Sequence, residues 1–258
     1  MRRALVMMIA AVTVGVTGCM SEYNLATHRE ETYLYGTDKE IKVGDSVARQ
    51  LESHFPIDSE VEANQRVQRI LERIVAVCDR KELVYTVKII DEDKLNAVSL
   101  PGGYIYVYKG LIDKVDNDDE LAGVIAHEVG HIAARHAMKR LETSMGYAVM
   151  QVLAVQSGSP ALAQGVQTAY LAMFVGYSQE DEFLADKLGV KYMRVAGYDP
   201  EKMASMLHKL HANEQKEPLR EFSYWRTHPY IPQRIANVNR EITGELHFKD
   251  YLNLIGNE

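Results

Sequence analysis

Asn117-Asp118-Asp119-Glu120-Leu121-Ala122-Gly123-Val124-Ile125-Ala126-His127-Glu128-Val129-Gly130-His131-Ile132 is the stretch on which the reading of this chain turns. Asn117 with an acid three residues on is a helix-start signature, and Leu121, Val124, Ile125, Val129 and Ile132 follow at helical spacing. The last part reads H-E-x-x-H. Two histidines four apart on a helix project from one face about a turn apart, so both imidazoles can reach one ion. Glu128 lies between them, poorly placed as a further ligand but well placed beside a bound water, the position of a general base. A buried amphipathic helix carrying two imidazoles and a carboxylate is costly without a partner, and a zinc ion is the economical one.

The rest of the chain narrows the class. Its 258 residues allow one large domain or two small ones, and 47% apolar residues suffice for a packed core. The net charge is -7 and no dense Lys/Arg block occurs, so nucleic acid is not an expected partner. Met1-Arg2-Arg3 and the apolar run from Ala4 to Val16 have the form of a secretory signal too short to span a bilayer comfortably. The run ends Val16-Thr17-Gly18-Cys19, which resembles a bacterial lipobox. The expected organisation is a lipoprotein signal peptide over 1–18, a lipidated tether over 19–44 starting at an acylated Cys19, and a zinc metallopeptidase domain over 45–258. Several acyl chains on Cys19 would anchor it stably in a membrane. Met20 is not the Asp associated with inner-membrane retention, so an outer-membrane anchor facing the periplasm is expected for a Gram-negative source. Cys78, the other cysteine, ends a helical face and reads as a buried thiol.

Within the domain, a helix is expected over Asp45 to His54, and Ser59 with Glu62 reads as a capping box for a helix whose buried face is Val67, Ile70, Leu71, Ile74, Val75 and Cys78. Leu83 to Ile90, Asn96 to Leu100 and Tyr104 to Tyr108 read as strands, the last two joined by Pro101-Gly102-Gly103. They predict a small antiparallel sheet next to the metal helix, with an edge on which an extended peptide can pair. The apolar stretch from Thr143 to Val175, broken at Ser157-Gly158-Ser159-Pro160, reads as a helical hairpin rather than one membrane span. The fold class that results is α+β, mainly α.

A third ligand has to come from elsewhere. Ala134 and Ala137 stand where an extended H-E-x-x-H-x-x-G-x-x-H pattern needs Gly and His, His136 is out of phase, and His208 and His211 lie on a mostly polar helix. Glu182 and Asp186 are four apart on an apolar helix face with Phe183, Leu184 and Leu188. On spacing alone they read equally well as a helix-start acidic cluster favoured by the helix dipole. Glu182 is nonetheless the best-placed downstream carboxylate.

Four motifs in order, HEVGH at 127–131, Glu182 to Asp186 as E-x-x-A-D, Asn96-Ala97-Val98-Ser99-Leu100-Pro101-Gly102-Gly103, and Thr227-His228-Pro229 with Arg234, resemble one zinc metallopeptidase family. It is the family of the CAAX prenyl endopeptidase, the membrane protease HtpX and the beta-barrel assembly-enhancing protease. The resemblance covers about Asp45 to Ile242 and implies a zincin-type (gluzincin) fold, with His127, His131 and Glu182 as ligands of one Zn2+, Glu128 as base and Asp186 orienting a ligand histidine. It further implies that Asn96 and Ala97 hold substrate backbone and that His228 and Arg234 face the metal and steady the tetrahedral intermediate. A helix through His228 and Arg234 would present both to one cleft, and His228 could alternatively fill the open metal position in a resting state.

The function expected is a membrane-tethered zinc endopeptidase that cleaves misfolded or misassembled envelope proteins or peptides. Other envelope proteases or outer-membrane assembly factors are the candidate partners. The competing reading is an envelope chaperone or adaptor that keeps zinc only as structure.

Overall fold

The computed structural model describes residues 20–33, 35–142, 175–218 and 222–245. The signal stretch, Cys19 and the 143–174 part of the apolar hairpin lie outside them.

The described chain begins with an antiparallel hairpin, β1 (Met20–Asn24) and β2 (Arg29–Tyr33), followed by α1 (Thr37–His54) and α2 (Val61–Val75). Next come β3 (Thr86–Ile90), β4 (Ala97–Leu100), β5 (Tyr104–Tyr108) and the one-turn helix α3 (Lys109–Ile112). The metal-motif helix is α4 (Asp118–Ala133), and after it come α5 (Gln179–Ala196), α6 (Glu201–Glu214), the one-turn α7 (Tyr224–Thr227) and α8 (Ile231–Thr243). This is a mainly helical α+β zincin-type fold. None of the helices among the described residues is long and apolar enough to cross a membrane.

The sheet is the divider between two cores. Alternation along β4 sends Ala97 toward the layer of α2, α4, α5, α6 and α8, while Val98 and Leu100 join α1 and residues 137–141 on the other side. The strand order is β3-β5-β4. β4 and β5 form the expected antiparallel hairpin, with Leu100 opposite Tyr104, turned at Gly102 and Gly103, whose φ of 79° and 103° favour glycine. β3, however, runs parallel to β5, with Thr86 opposite Tyr104. The sheet is therefore mixed, not purely antiparallel: β4 lies across the far edge, so β5 returns between its two predecessors in the direction of β3.

Two further boundaries differ from the sequence reading. α2 has Glu60 at its N-cap without a side-chain cap, and Asp58 accepts the Glu60 amide instead at 2.8 Å, so Ser59 and Glu62 make no capping box. α1 starts at Thr37 rather than Asp45, and the hairpin before it buries Ala26 and Tyr33. Packed structure thus extends well into the stretch expected to be a tether. The reason is a buried ion cluster: Glu40 receives Arg80 at 2.8 Å and Arg135 at 2.9 Å, joining α1 to the end of α4, while Arg135 stacks over Tyr33 and the Asn24 amide donates to the Ala133 carbonyl at 3.4 Å. A buried carboxylate paired on both oxygens fixes the geometry of the elements that carry it.

Candidate metal centre

The site is built where α4 crosses α5. α4 opens with the Asn117 side chain accepting the Glu120 amide at 3.0 Å, and α5 with Ser178 accepting the Asp181 amide at 3.2 Å. The helices approach closely because Gly130 has no side chain: a Cβ there would lie 2.8 Å from the Ala185 carbonyl oxygen. That contact brings the second histidine pair position and the E-x-x-A-D face together.

Four donor atoms converge. His127 Nε2 lies 3.0 Å from His131 Nε2 and 3.3 Å from His228 Nδ1. Glu182 Oε1 is 3.1 Å from His228 Nδ1 and 3.4 Å from His131 Nε2, and all four residues are buried. Donors about 2.0–2.1 Å from a tetrahedral centre stand roughly 3.3–3.4 Å apart. Spacing and chemistry both suit zinc. His127, His131 and Glu182 are the set expected from the sequence, and His228 adds a fourth donor to the cluster.

Around the donors stands a supporting layer. Asp186 Oδ1 is 2.9 Å from His127 Nδ1, on the ring nitrogen turned away from the centre. Arg234 grips Asp186 with two bonds, 2.7 and 2.9 Å, and Glu182 Oε2 at 2.8 Å. Its guanidinium is thus paired with the two carboxylates of α5 behind the donor cluster. His228 and Arg234 do not share a helix: His228 closes α7, Tyr230 takes φ of 64°, and α8 starts afresh at Ile231 with Pro232 in its first turn. Each residue reaches the site from its own element.

On the opposite flank, His136 Nδ1 faces His131 Nδ1 at 2.8 Å, and His136 Nε2 faces Asp181 Oδ1 at 3.3 Å. Sequence phase excluded His136 only on the premise that the helix runs on. It stops at Ala133, Arg135 takes φ of 58°, and the chain turns His136 back beneath His131. Tyr177 was also missed. Its ring stacks on His131 at 3.9 Å and 18°. His208 is exposed and His211 pairs with Glu214, in keeping with surface positions.

Charge at the site is set by these pairings. Burial pushes the Glu182 carboxyl upward, but Arg234 first and His228 next overcome it and hold it well below the usual range. Burial and Arg234 push the His127 imidazole down, and Asp186 with Glu182 more than compensate, raising it to about 9. Burial lowers His136 to about 4, so it is neutral beside His131. Both Glu128 oxygens are buried without a hydrogen-bond partner, and His228 Nε2 stands 3.4 Å from Oε1.

The segment carrying His228 also covers the start of β4. The Asn96 amide donates to the Phe222 carbonyl at 2.9 Å, the Thr227 hydroxyl to Asn96 Oδ1 at 3.2 Å and the Tyr224 amide to the Leu95 carbonyl at 2.8 Å, and His228 Nε2 is 3.4 Å from the Ala97 carbonyl. Asn96 and Ala97 thus border the site but are engaged by residues 222–228.

Residues 62–242 match the profile of Peptidase family M48. The chain is 25% identical over 248 residues to the beta-barrel assembly-enhancing protease of Escherichia coli K12, covering 90% of this chain and 50% of that protein. It is 25% identical over 212 residues to the protein of the same name from Yersinia pestis, covering 78% and 43%. It is 27% identical over 172 residues to the mitochondrial metalloendopeptidase OMA1 of Schizosaccharomyces pombe, covering 67% and 51%. The chain spans about half the length of the curated relatives it matches.

Proposed function

This chain belongs to peptidase family M48, and on that premise we propose that it is a zinc-dependent endopeptidase of the bacterial cell envelope, acting on misfolded or misassembled envelope proteins. One observation carries the reading: four buried donors within 4.8 Å of one another stand beside a buried carboxylate, Glu128, whose oxygens make no hydrogen bond and face only His228 Nε2 at 3.4 Å. A site that kept metal only as structure would have no use for a buried carboxylate left without a hydrogen bond.

His127, His131 and Glu182 would hold zinc, which when bound polarises a carbonyl and acidifies a water. Glu128 takes the proton of the attacking water and passes it to the leaving amine, a role open to it because no hydrogen bond holds its oxygens. Asp186 keeps His127 turned toward the centre, and Arg234 keeps Asp186 and Glu182 in register. A substrate strand would pair along β4 at Asn96 and Ala97 once residues 222–228 move aside. His228 then has two states, one closing the site and one withdrawn. The second reading, a latent chaperone or adaptor with a closed structural site, is favoured by that fourth donor alone.

The experiment is hydrolysis of unfolded casein by the purified zinc-loaded protein, with a chelator control and with Glu128→Gln. We expect chelator-sensitive cleavage, and in Glu128→Gln a loss of at least ~10²-fold in turnover with zinc retained. Zinc-loaded protein that leaves casein intact even with His228 replaced by Ala would favour the adaptor. We also propose that Cys19 is acylated and anchors the protein in the outer membrane facing the periplasm, a reading supported by its lipobox-like sequence and by the relatives' bacterial sources.

A further inference from the structure

A tetrahedral oxyanion needs a hydrogen-bond donor, and the polar groups around the metal centre can be sorted by whether they have one to give. Arg234 is committed by charge, bonded to Asp186 through Nε and Nη2 and ion-paired to Glu182 Oε2 through Nη1 at 2.8 Å. Both ring nitrogens of His228 are turned to other groups, Nδ1 to Glu182 and His127, Nε2 to Glu128 and the Ala97 carbonyl. His136 is turned to His131 and Asp181. The buried Tyr177 hydroxyl has only the Ser99 hydroxyl beside it, and neither of the two makes a well-formed hydrogen bond to any other group among the described residues.

Leaving a buried hydroxyl unpaired costs about 1–3 kcal/mol, which a structural tyrosine avoids by bonding or by giving way to phenylalanine. Here the ring is fixed on every side except at its hydroxyl. One face stacks on the His131 imidazole at 3.9 Å, the Arg140 guanidinium lies 3.9 Å from the ring centre, and the Tyr177 amide donates to the Thr227 carbonyl at 3.3 Å. The ring centre is 5.6 Å from that of His228. The ring therefore stacks on a histidine of the donor cluster while its hydroxyl stands beside Ser99 of β4, the strand on which substrate is proposed above to pair. A phenol is protonated at neutral pH and can donate without changing its charge.

We propose that Tyr177 is a further catalytic residue, which donates its hydroxyl hydrogen bond to the oxyanion formed at the scissile carbonyl and keeps its proton throughout. This rests on the endopeptidase reading above. It differs from a role in building the site because the hydroxyl, and not the ring, is what matters.

Tyr177→Phe keeps the ring, the stack on His131 and the volume while removing the donor. In the zinc-loaded full-length protein, turnover of casein should fall by about 10²-fold with little change in KM, zinc affinity or thermal midpoint. A second readout needs no turnover: an N-phosphoryl dipeptide, whose tetrahedral phosphoryl oxygens mimic the oxyanion, titrated calorimetrically, should bind the variant about 10²-fold more weakly than the wild type. Turnover within twofold of wild type overturns the proposal, as does equal affinity for the phosphoryl dipeptide or binding to neither protein. A loss of turnover matched by loss of zinc also overturns it and makes Tyr177 structural. Failure of the wild type to cleave casein while the dipeptide still discriminates the two proteins would count against the endopeptidase reading and leave the donor in place.

Discussion

Gly130 and Ala185 meet across α4 and α5 with no space between them for a methyl group: a Cβ on Gly130 would stand 2.8 Å from the Ala185 carbonyl oxygen and 3.1 Å from its Cα. Both obstacles are backbone, so neither can swing aside. The glycine of HEVGH and the alanine of E-x-x-A-D are therefore two halves of one contact, and that contact sets how far Glu182 stands from the two histidines.

Gly130→Ala should force the helices apart. The expected cost is about 1–3 kcal/mol of stability from overpacking, with a loss of zinc affinity in the same variant because His131 and Glu182 separate. Urea denaturation of the metal-free protein and a competitive zinc titration measure the two effects. An unchanged urea midpoint would mean the helices adjust freely and that their spacing is not what the glycine protects.

The two histidines of α4 are held from behind by different groups, His127 by Asp186 and His131 by His136. Asp186→Ala and His136→Phe should each weaken zinc binding by roughly 10- to 100-fold. Asp186 also balances Arg234, so its loss should lower thermal stability as well, whereas His136→Phe should act mainly on the metal. Zinc titration alongside thermal melts of the metal-free variants tests this. Wild-type zinc affinity in His136→Phe would reduce the His131 to His136 contact to simple packing.

His228→Ala separates the two states of that residue. If the closed arrangement dominates, with the open one populated at about 1–10%, removing the imidazole should raise kcat/KM on casein by roughly 10- to 100-fold and weaken zinc binding modestly. A drop of about 10²-fold at unchanged zinc affinity would instead assign His228 to the transition state. Activity and zinc affinity both at wild-type level would exclude either role.

Cys19→Ser should abolish acylation and move the protein out of the membrane fraction. Labelled palmitate fed to cells expressing both forms reads this directly, and equal labelling of the variant would rule out Cys19 as the site.

The α4 helix and the meeting of its two histidines were legible because cap, periodicity and the i, i+4 spacing all give the same answer. The Glu182–Asp186 face was legible in the same way, since spacing on one helix needs no knowledge of the rest of the fold. What spacing cannot carry is direction. A period of two marks β3 as a strand but is identical for parallel and antiparallel pairing, so the order β3-β5-β4 stayed hidden. Nor can phase survive an unrecognised break: the left-handed Arg135 moves His136 under His131, and Pro229-Tyr230 divides His228 from Arg234. The polar stretch before Asp45 looked like a leash because its anchor, the pairing of Glu40 with Arg80 and Arg135, is made of residues 40 and 95 positions apart.

That last feature alters what attachment at Cys19 would mean. A flexible leash of about 25 residues would let a domain wander roughly 25–30 Å from its lipid. Here β1 begins at the very next residue, and the hairpin is pinned to the end of α4 through Asn24, Tyr33 and Arg135. Anchored so, the cleft would ride at a set height over the bilayer, and the hairpin would serve as a ruler: polypeptide segments would be cut for reaching that plane, whatever their sequence, and those held nearer to or farther from the lipid would be passed over.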